Sequence, residues 1–276
     1  MIKYRVDNIG YAPSPWKFPA GEVGISIAFD AVALARLKVI IYAAITSSDE
    51  VMQLFMLTDA LKRQYTNANI HLVLGYTPYG RQDRVCSEGE SLSVLVFAKL
   101  INAQGYKNVT VYDPHSSVTQ AVIDNCIVVD QTELFVDEFM RRIPVDKRQV
   151  LIAPDAGAMK KVTDIYKQSE FSEVMFANKV RNMMTGEIIE YSFSGDVTGK
   201  HVVVVDDICD GGATFLELGS RLRGAGVESM TLCVTHGIFS KGHEALVKMY
   251  DNVYTTNSYH MDRVGLVENV YYCGVL

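Results

Sequence analysis

The stretch HVVVVDDICDGGATFLELGSRLRGAG occupies residues 201–226. Its run Val202–Val205 reads as a strand buried on both faces, as in a parallel sheet. The run ends in Asp206 and Asp207, a short loop covers Ile208 to Ala213, and a helix starts near Thr214. In open parallel sheets, ligands sit beyond the carboxyl ends of strands. A Gly-Gly turn entering a helix points backbone N–H groups and the helix N-terminus at an anion. Adjacent carboxylates suit sugar hydroxyls, directly or through a hard divalent cation, better than they suit phosphate. The plain alternative is an ordinary left-handed turn with solvated Asp caps. The valine run, the Asp pair, Asp210 and Thr214 together favour a cradle for a ribose 5-phosphate group.

Outward from this stretch, short β-branched runs alternate with helical periods. Strands are predicted at Val39–Ala44, Ile70–Leu74, Val109–Tyr112, Val150–Ala153, Val174–Phe176, His201–Asp206 and Met230–Thr235. Helices are predicted over Glu50–Tyr65, Leu92–Ala103, 157–167 and 213–224. The alternation implies an α/β chain with mainly parallel sheets flanked by helices. It runs once in each half, so two tandem domains are expected, 1–140 and 141–276, with the join near the charged segment 136–148 and its Pro144.

The chain has 276 residues, a formal charge of −6 and a pI of about 5.5. No Lys/Arg block offers a nucleic-acid footprint, so no nucleic-acid partner is expected. A phosphate ligand must be held by local geometry against a weakly repulsive global field. Five scattered cysteines without a CxxC pair point to reduced thiols, no zinc site and a cytoplasmic location. Neither a secretory leader nor a membrane span is expected from the apolar pattern.

The motif VVVVDDICDGGAT resembles the phosphoribosyl-binding loop of type I phosphoribosyltransferases and of ribose-phosphate pyrophosphokinases (PRPP synthetases). By that resemblance Asp206 and Asp207 hold the ribose 2- and 3-hydroxyls, and Asp210, Gly211, Gly212, Ala213 and Thr214 hold the 5-phosphate. Four further segments resemble the synthetases rather than simple transferases. GYTPYGRQDR (75–84) resembles "PYFGYARQDR", which implies ATP contacts by Arg81, Gln82 and Asp83. VYDPHSS (111–117) resembles the "DLHA" strand end, which implies that His115 stands beside the ATP phosphates and magnesium. APDAGAMKK (153–161) resembles "PDxGG", which implies a metal-site role for Asp155. VTHGIFSKG (234–242) resembles "ATHGxxSG".

Each segment also has a reading of its own. Arg81 in a Gly-flanked loop can grip a phosphate bidentately and Gln82 can read a base edge, or the loop is a solvated turn. His115 is a metal or phosphate ligand, or structural. Asp155 reads equally as an N-cap and as a metal-site carboxylate. Lys179 and Arg181 in NKVRN (178–182) match two positions of the synthetases' mobile "KRR" loop, with Val180 replacing the middle arginine. The resemblance implies that they stabilise the transferring group.

KFPAGE (17–22) resembles the "FxDGE" loop that a neighbouring subunit lends to the adenine. Phe18 and Glu22 match it, while Ala20 stands where an Asp is usual. Gly211 stands where the phosphate loop usually carries a Thr, which leaves room beside the phosphate. The resemblance to the family's usual beginning is missing before Trp16, so the first strand and helix are expected to be shortened or rebuilt.

The expected activity is magnesium-dependent transfer of diphosphate from ATP to the anomeric hydroxyl of ribose 5-phosphate, in a homo-oligomer, dimer or hexamer. The alternatives are a larger acceptor such as ADP-ribose, a phosphoribosyltransferase, and an inactive regulatory homologue.

Overall fold

A computed structural model describes residues 1–28, 37–143, 149–181, 188–267 and 270–276. The described chain forms two compact units. The first holds Met1–Val129, Ser258–Met261 and Leu276; the second holds Asp130–Asn257 and Asp262–Val275.

In the first unit, β1 (Ile2–Val6), β2 (Ile9–Tyr11), β5 (Lys38–Ala43), β6 (Asn69–Leu74), β7 (Asn108–Tyr112) and β8 (Cys126–Val129) form one sheet in the order β2-β1-β5-β6-β7-β8. The strands β5 to β8 are parallel. The hairpin β1–β2 adds to the edge antiparallel, with Tyr4 opposite Ile41. A separate hairpin pairs β3 (Ser14–Lys17) with β4 (Val23–Ser26).

Alternation along β5 to β7 buries Val39, Ile41, Leu72, Leu74, Val109 and Val111 on one face. They pack with Leu54, Leu57 and Leu61 of α1 (Ser48–Gln64) and Phe97 and Ile101 of α2 (Ser93–Asn102). Helix α1 starts where Ser47 accepts the Glu50 N–H at 3.3 Å. A short helix, α3 (Ser117–Val122), lies between β7 and β8.

The second unit begins with α4 (Gln131–Leu134), which widens into a π-turn over Phe135–Phe139. Its sheet runs β11-β10-β9-β12-β13-β14-β16-β15. The strands are β9 (Gln149–Ala153), β10 (Glu173–Arg181), β11 (Ile188–Phe193), β12 (His201–Cys209), β13 (Ser229–Gly237), β14 (Asn252–Thr256), β15 (Gly265–Val267) and β16 (Val270–Cys273). Only β11 and β15 run antiparallel to their neighbours. Helices α5 (Met159–Lys167), α6 (Ala213–Gly224) and α7 (Glu244–Met249) complete the unit.

The valine run explains why β12 sits inside this sheet, between β9 and β13. Val202 and Val204 join a core with Phe215, Leu218 and Leu222 of α6. Val203 and Val205 join the opposite core with Leu151, Val162 and Ile165. Both faces are buried, so the run is continuously apolar rather than alternating.

The join set at 140 from charge and Pro144 falls inside the second unit here. The units divide between Val129 and Asp130, because Phe135 and Phe139 pack in the second unit's core.

The chain also returns to the first unit near its end. Tyr76 N donates to Ser258 O at 3.1 Å, and a Cβ on Gly75 would lie 2.1 Å from that same carbonyl oxygen. Glycine is required there for close backbone approach. Gly75→Ala is therefore expected to destabilise the protein by about 1–3 kcal/mol, seen as a melting temperature lowered by several degrees. An unchanged midpoint would show that the segment 258–261 is not tightly held.

Candidate active site

The carboxyl end of β12 carries the acidic pair. Asp207 is buried at 8% exposure, while Asp206 keeps a window to solvent. Asp206 Oδ1 accepts the Asp207 N–H at 2.9 Å, which fixes its carboxylate at the strand end. Lys161 Nζ stands 3.5 Å from Asp207 Oδ2 and offsets one of the two charges. The other charge is poorly compensated. Burial first, then the charge of Asp207 and, less, that of Asp155, push the Asp206 carboxyl well above the usual carboxylate range. The site thus stores a demand for hydrogen-bond donors or a cation.

Gln131, from α4, supports the strand end from beneath. Its Nε2 donates to Asp206 O at 2.6 Å and to Thr235 Oγ1 at 3.3 Å. Nothing in the sequence marked this glutamine, which lies far from the motif along the chain. Lys161 sits in the segment 153–161 but was not singled out; its reach to Asp207 needs the βα geometry of β9 and α5.

The glycine loop follows β12. Gly212 is the N-cap of α6 at φ +78°, a backbone state that L side chains rarely adopt. Its left-handed turn aims the first N–H groups of α6, at Ala213 and Thr214, out of the loop. The sequence expectation of an anion cradle has its backbone here. Asp155 Oδ1 accepts from Gly157 N at 2.9 Å and Ala158 N at 3.2 Å, so this oxygen caps the turn before α5. Its proximity to Asp206 leaves it able to act on the same ligand.

Lys179 and Arg181 stand on β10, paired antiparallel with β11 so that Lys179 faces Tyr191 and Arg181 faces Ile188. Their side chains lie outside the described ones.

In the first unit, Arg81, Gln82, Asp83, Arg84 and His115 line one cavity of about 480 Å³, with Cys86, Glu90, Ser91 and Ser93. Two segments far apart in sequence meet there because β6 and β7 are parallel neighbours whose carboxyl ends open on the same side. Arg81, Gln82, Arg84 and His115 are exposed to it. Asp83 is buried instead, and both its oxygens are taken by Arg84, at 2.8 and 3.2 Å. Asp83 therefore holds a guanidinium in place more than it presents a carboxylate. Arg84, the last residue of the quoted motif, is a cavity residue that the sequence reading left out.

Phe18, 50% exposed, starts the loop between β3 and β4 and meets Trp16 edge-on at 6.3 Å. Its N–H donates to Glu22 O at 2.8 Å, so Phe18 and Glu22 close one turn.

Comparisons with known proteins agree with this division. Residues 14–105 match the family model "N-terminal domain of ribose phosphate pyrophosphokinase", and residues 145–270 match "Phosphoribosyl transferase domain". The chain belongs to the ribose-phosphate pyrophosphokinase family. A ribose-phosphate pyrophosphokinase of Aquifex aeolicus is 28% identical over 223 residues, 81% of this chain and 70% of that protein. One of Hyphomonas neptunium is 29% identical over 197 residues, 70% of this chain and 62% of that protein. The crystal structure of phosphoribosylpyrophosphate synthetase from Mycobacterium smegmatis superposes with a TM-score of 0.79 at 22% identity. It covers 96% of this chain and 86% of that one, which shows the shared fold.

The Asp83–Arg84 pair gives a pH test. The Arg84 guanidinium first, then the Ser116 hydroxyl and more weakly the charge of His115, hold the Asp83 carboxyl down at about 2, against an ordinary 3.8. A depressed carboxylate stabilises the fold above its unfolded value, and that contribution is lost as pH falls through the folded one. Asp83→Asn should therefore flatten the fall in melting temperature between about pH 3.8 and about pH 2. Parallel acid limbs for mutant and wild type would refute the pairing.

Proposed function

We propose that this diphosphokinase-type transferase moves the β,γ-diphosphate of ATP onto the anomeric hydroxyl of ribose 5-phosphate, giving PRPP and AMP. The observation that carries the reading is the first-unit cavity. A protein that only consumed PRPP would have no use for a further cavity in the first unit lined by Arg81, Gln82, Arg84 and His115. In the second unit a buried acidic pair stands before a helix N-terminus, which supports binding of a sugar diol together with its phosphate.

The acceptor binds at β12 with its diol on Asp206 and Asp207 and its 5-phosphate over Asp210 to Thr214. Diol hydroxyls donate to the acidic pair, which relieves the cost of ionising Asp206. ATP lies on Arg81, Gln82, Arg84 and His115, with Asp83 fixing Arg84. The guanidinium groups orient the phosphate chain, which is most of what phosphoryl chemistry asks of a protein. Phe18 and Glu22, on their exposed turn, are suited to reach the adenine of a neighbouring subunit, consistent with a homo-oligomer.

Among the described residues no group of three or more His, Cys, Asp or Glu side chains could hold a metal ion by itself. Magnesium is commonly held by one or two carboxylates plus substrate phosphates, so the residues present fit a site that substrate completes. Asp155 in the second unit and His115 in the first are each a candidate to hold it, and it would supply Lewis-acid neutralisation of the phosphate oxygens. Lys179 and Arg181 add charge as the bond to AMP loosens. One such donor is typically worth about 3–4 kcal/mol.

A second acceptor, ADP-ribose, is favoured by one observation: Gly211 offers no hydroxyl to a terminal phosphate. Measuring AMP released from ATP with each acceptor separates the two readings. Silence with both leaves a transferase consuming PRPP or an inactive homologue.

Lys179→Ala and Arg181→Ala should each lower kcat about a hundredfold to a thousandfold while ATP affinity changes little. Equal losses in affinity and rate would make them ground-state ligands instead.

Asp206→Asn should weaken acceptor binding far more than ATP binding. It should also raise the melting temperature of the ligand-free protein at neutral pH. The sign follows from the raised carboxyl, whose stabilising contribution is present only below its unfolded value and is lost as pH rises through the folded one. Unchanged acceptor affinity in a calorimetric titration would remove the acidic pair from the site.

A further inference from the structure

The room expected beside Gly211 is bounded by Lys241. A Cβ on Gly211 would lie 3.4 Å from Cδ, 3.5 Å from Cε and 3.7 Å from Cγ of Lys241. Gly211 is outside the left-handed region that favours glycine, so backbone conformation does not demand its missing side chain. A Cβ there would reach ordinary van der Waals contact with the methylene stem of Lys241, so a longer side chain would press on it.

The segment bearing Lys241 is built onto the phosphate loop. Ile238 N and Phe239 N both donate to Cys209 O, at 2.9 and 3.1 Å, and Ser240 N donates to Asp210 O at 3.2 Å. Lys241 follows directly and is exposed. Among the described residues its ammonium has no ion-pair or hydrogen-bond partner. Glu244 follows on the same segment, against Gly242, and Asp210 precedes Gly211 on the loop.

We infer that Lys241 is a specificity-determining residue that supplies the cation for the acceptor's 5-phosphoryl oxygens, in place of a hydroxyl donor at position 211. The inference rests on the reading of residues 210–214 as the acceptor's phosphate cradle. The cradle's own donors are neutral N–H groups, and the nearby carboxylates repel a phosphate. A lysine laid across the loop corrects that local balance, with three donors on a compact charge. Gly211 and Lys241 then form one unit, since a threonine at 211 would put its branches where the stem lies.

The decisive variant is Lys241→Met, which keeps an unbranched apolar stem and removes the charge. Calorimetric titration with ribose 5-phosphate should show affinity lowered about tenfold, with ATP affinity within about twofold of wild type and an unchanged melting temperature. In turnover the same variant should raise KM for the acceptor and leave kcat at saturation nearly unaltered, the pattern of lost uniform binding. Lys241→Arg should restore most of the affinity. Gly211→Thr should weaken acceptor binding in the wild-type background and have little further effect beside Lys241→Met, as for two residues acting as one. Unchanged ribose 5-phosphate affinity in Lys241→Met overturns the inference, whether or not the chain turns over. AMP release by the wild type tests the transfer reaction separately, so the two failures are distinguishable.

Discussion

The structure of the second unit depends on a conflict of charge at the end of one strand. Four valines hold β12 between two cores, and that anchoring forces Asp206 and Asp207 into a position where like charges are crowded. Lys161 and the Asp207 N–H each relieve part of the cost, while the Gln131 amide holds the Asp206 carbonyl beneath the strand. None removes it, because the sheet fixes the spacing of adjacent residues. Strain of this kind persists only where the surroundings over-determine it, and a binding site uses it by letting the ligand supply what the fold withholds. Hydroxyl donors and a divalent cation both meet that need, so the reading of a sugar-phosphate acceptor follows from electrostatics as much as from motif.

The first unit solves a different problem. Its cavity presents two exposed guanidinium groups, and cations aimed at a ligand must be kept from wandering in its absence. Asp83 does this for Arg84 by a two-point contact from a buried position. The arrangement separates the residue that meets the ligand from the residue that orients it. The sequence motif lists both as neighbours and cannot say which is which, because adjacent residues in a turn point in opposite directions.

What the sequence revealed and what it hid follow the same division. Parallel strands with both faces buried announce themselves as apolar runs, so β12, β13 and the helix over 213–224 were legible, the helix to the residue. The N-terminal hairpin β1–β2 was not, because its alternation covers only a few residues and its partner β5 lies beyond it in the chain. The join was set too late because the charged segment after Phe135 looks like a linker, while its two phenylalanines are core. Gln131 had no signal at all, since a single amide beneath a strand end is defined only by distance in space. Lys179 and Arg181, expected on a mobile loop by resemblance, stand instead on β10.

Gly211 shows where reading residues one at a time runs out. In sequence it is a missing hydroxyl, and the natural conclusion is an open pocket. In the fold the same position is a contact surface for Lys241, thirty residues away. The pair is joined by the backbone bonds that seat residues 238–240 on Cys209 and Asp210. On the proposed assignment, the missing hydroxyl on one loop and the lysine on another act on the same phosphate. The substitution exchanges a neutral, short-range donor for a charge on a flexible stem. A hydroxyl rewards one oxygen at one angle; an ammonium tolerates a range of positions. A cradle altered in this way would keep its demand for phosphate and relax its demand for how the phosphate is placed.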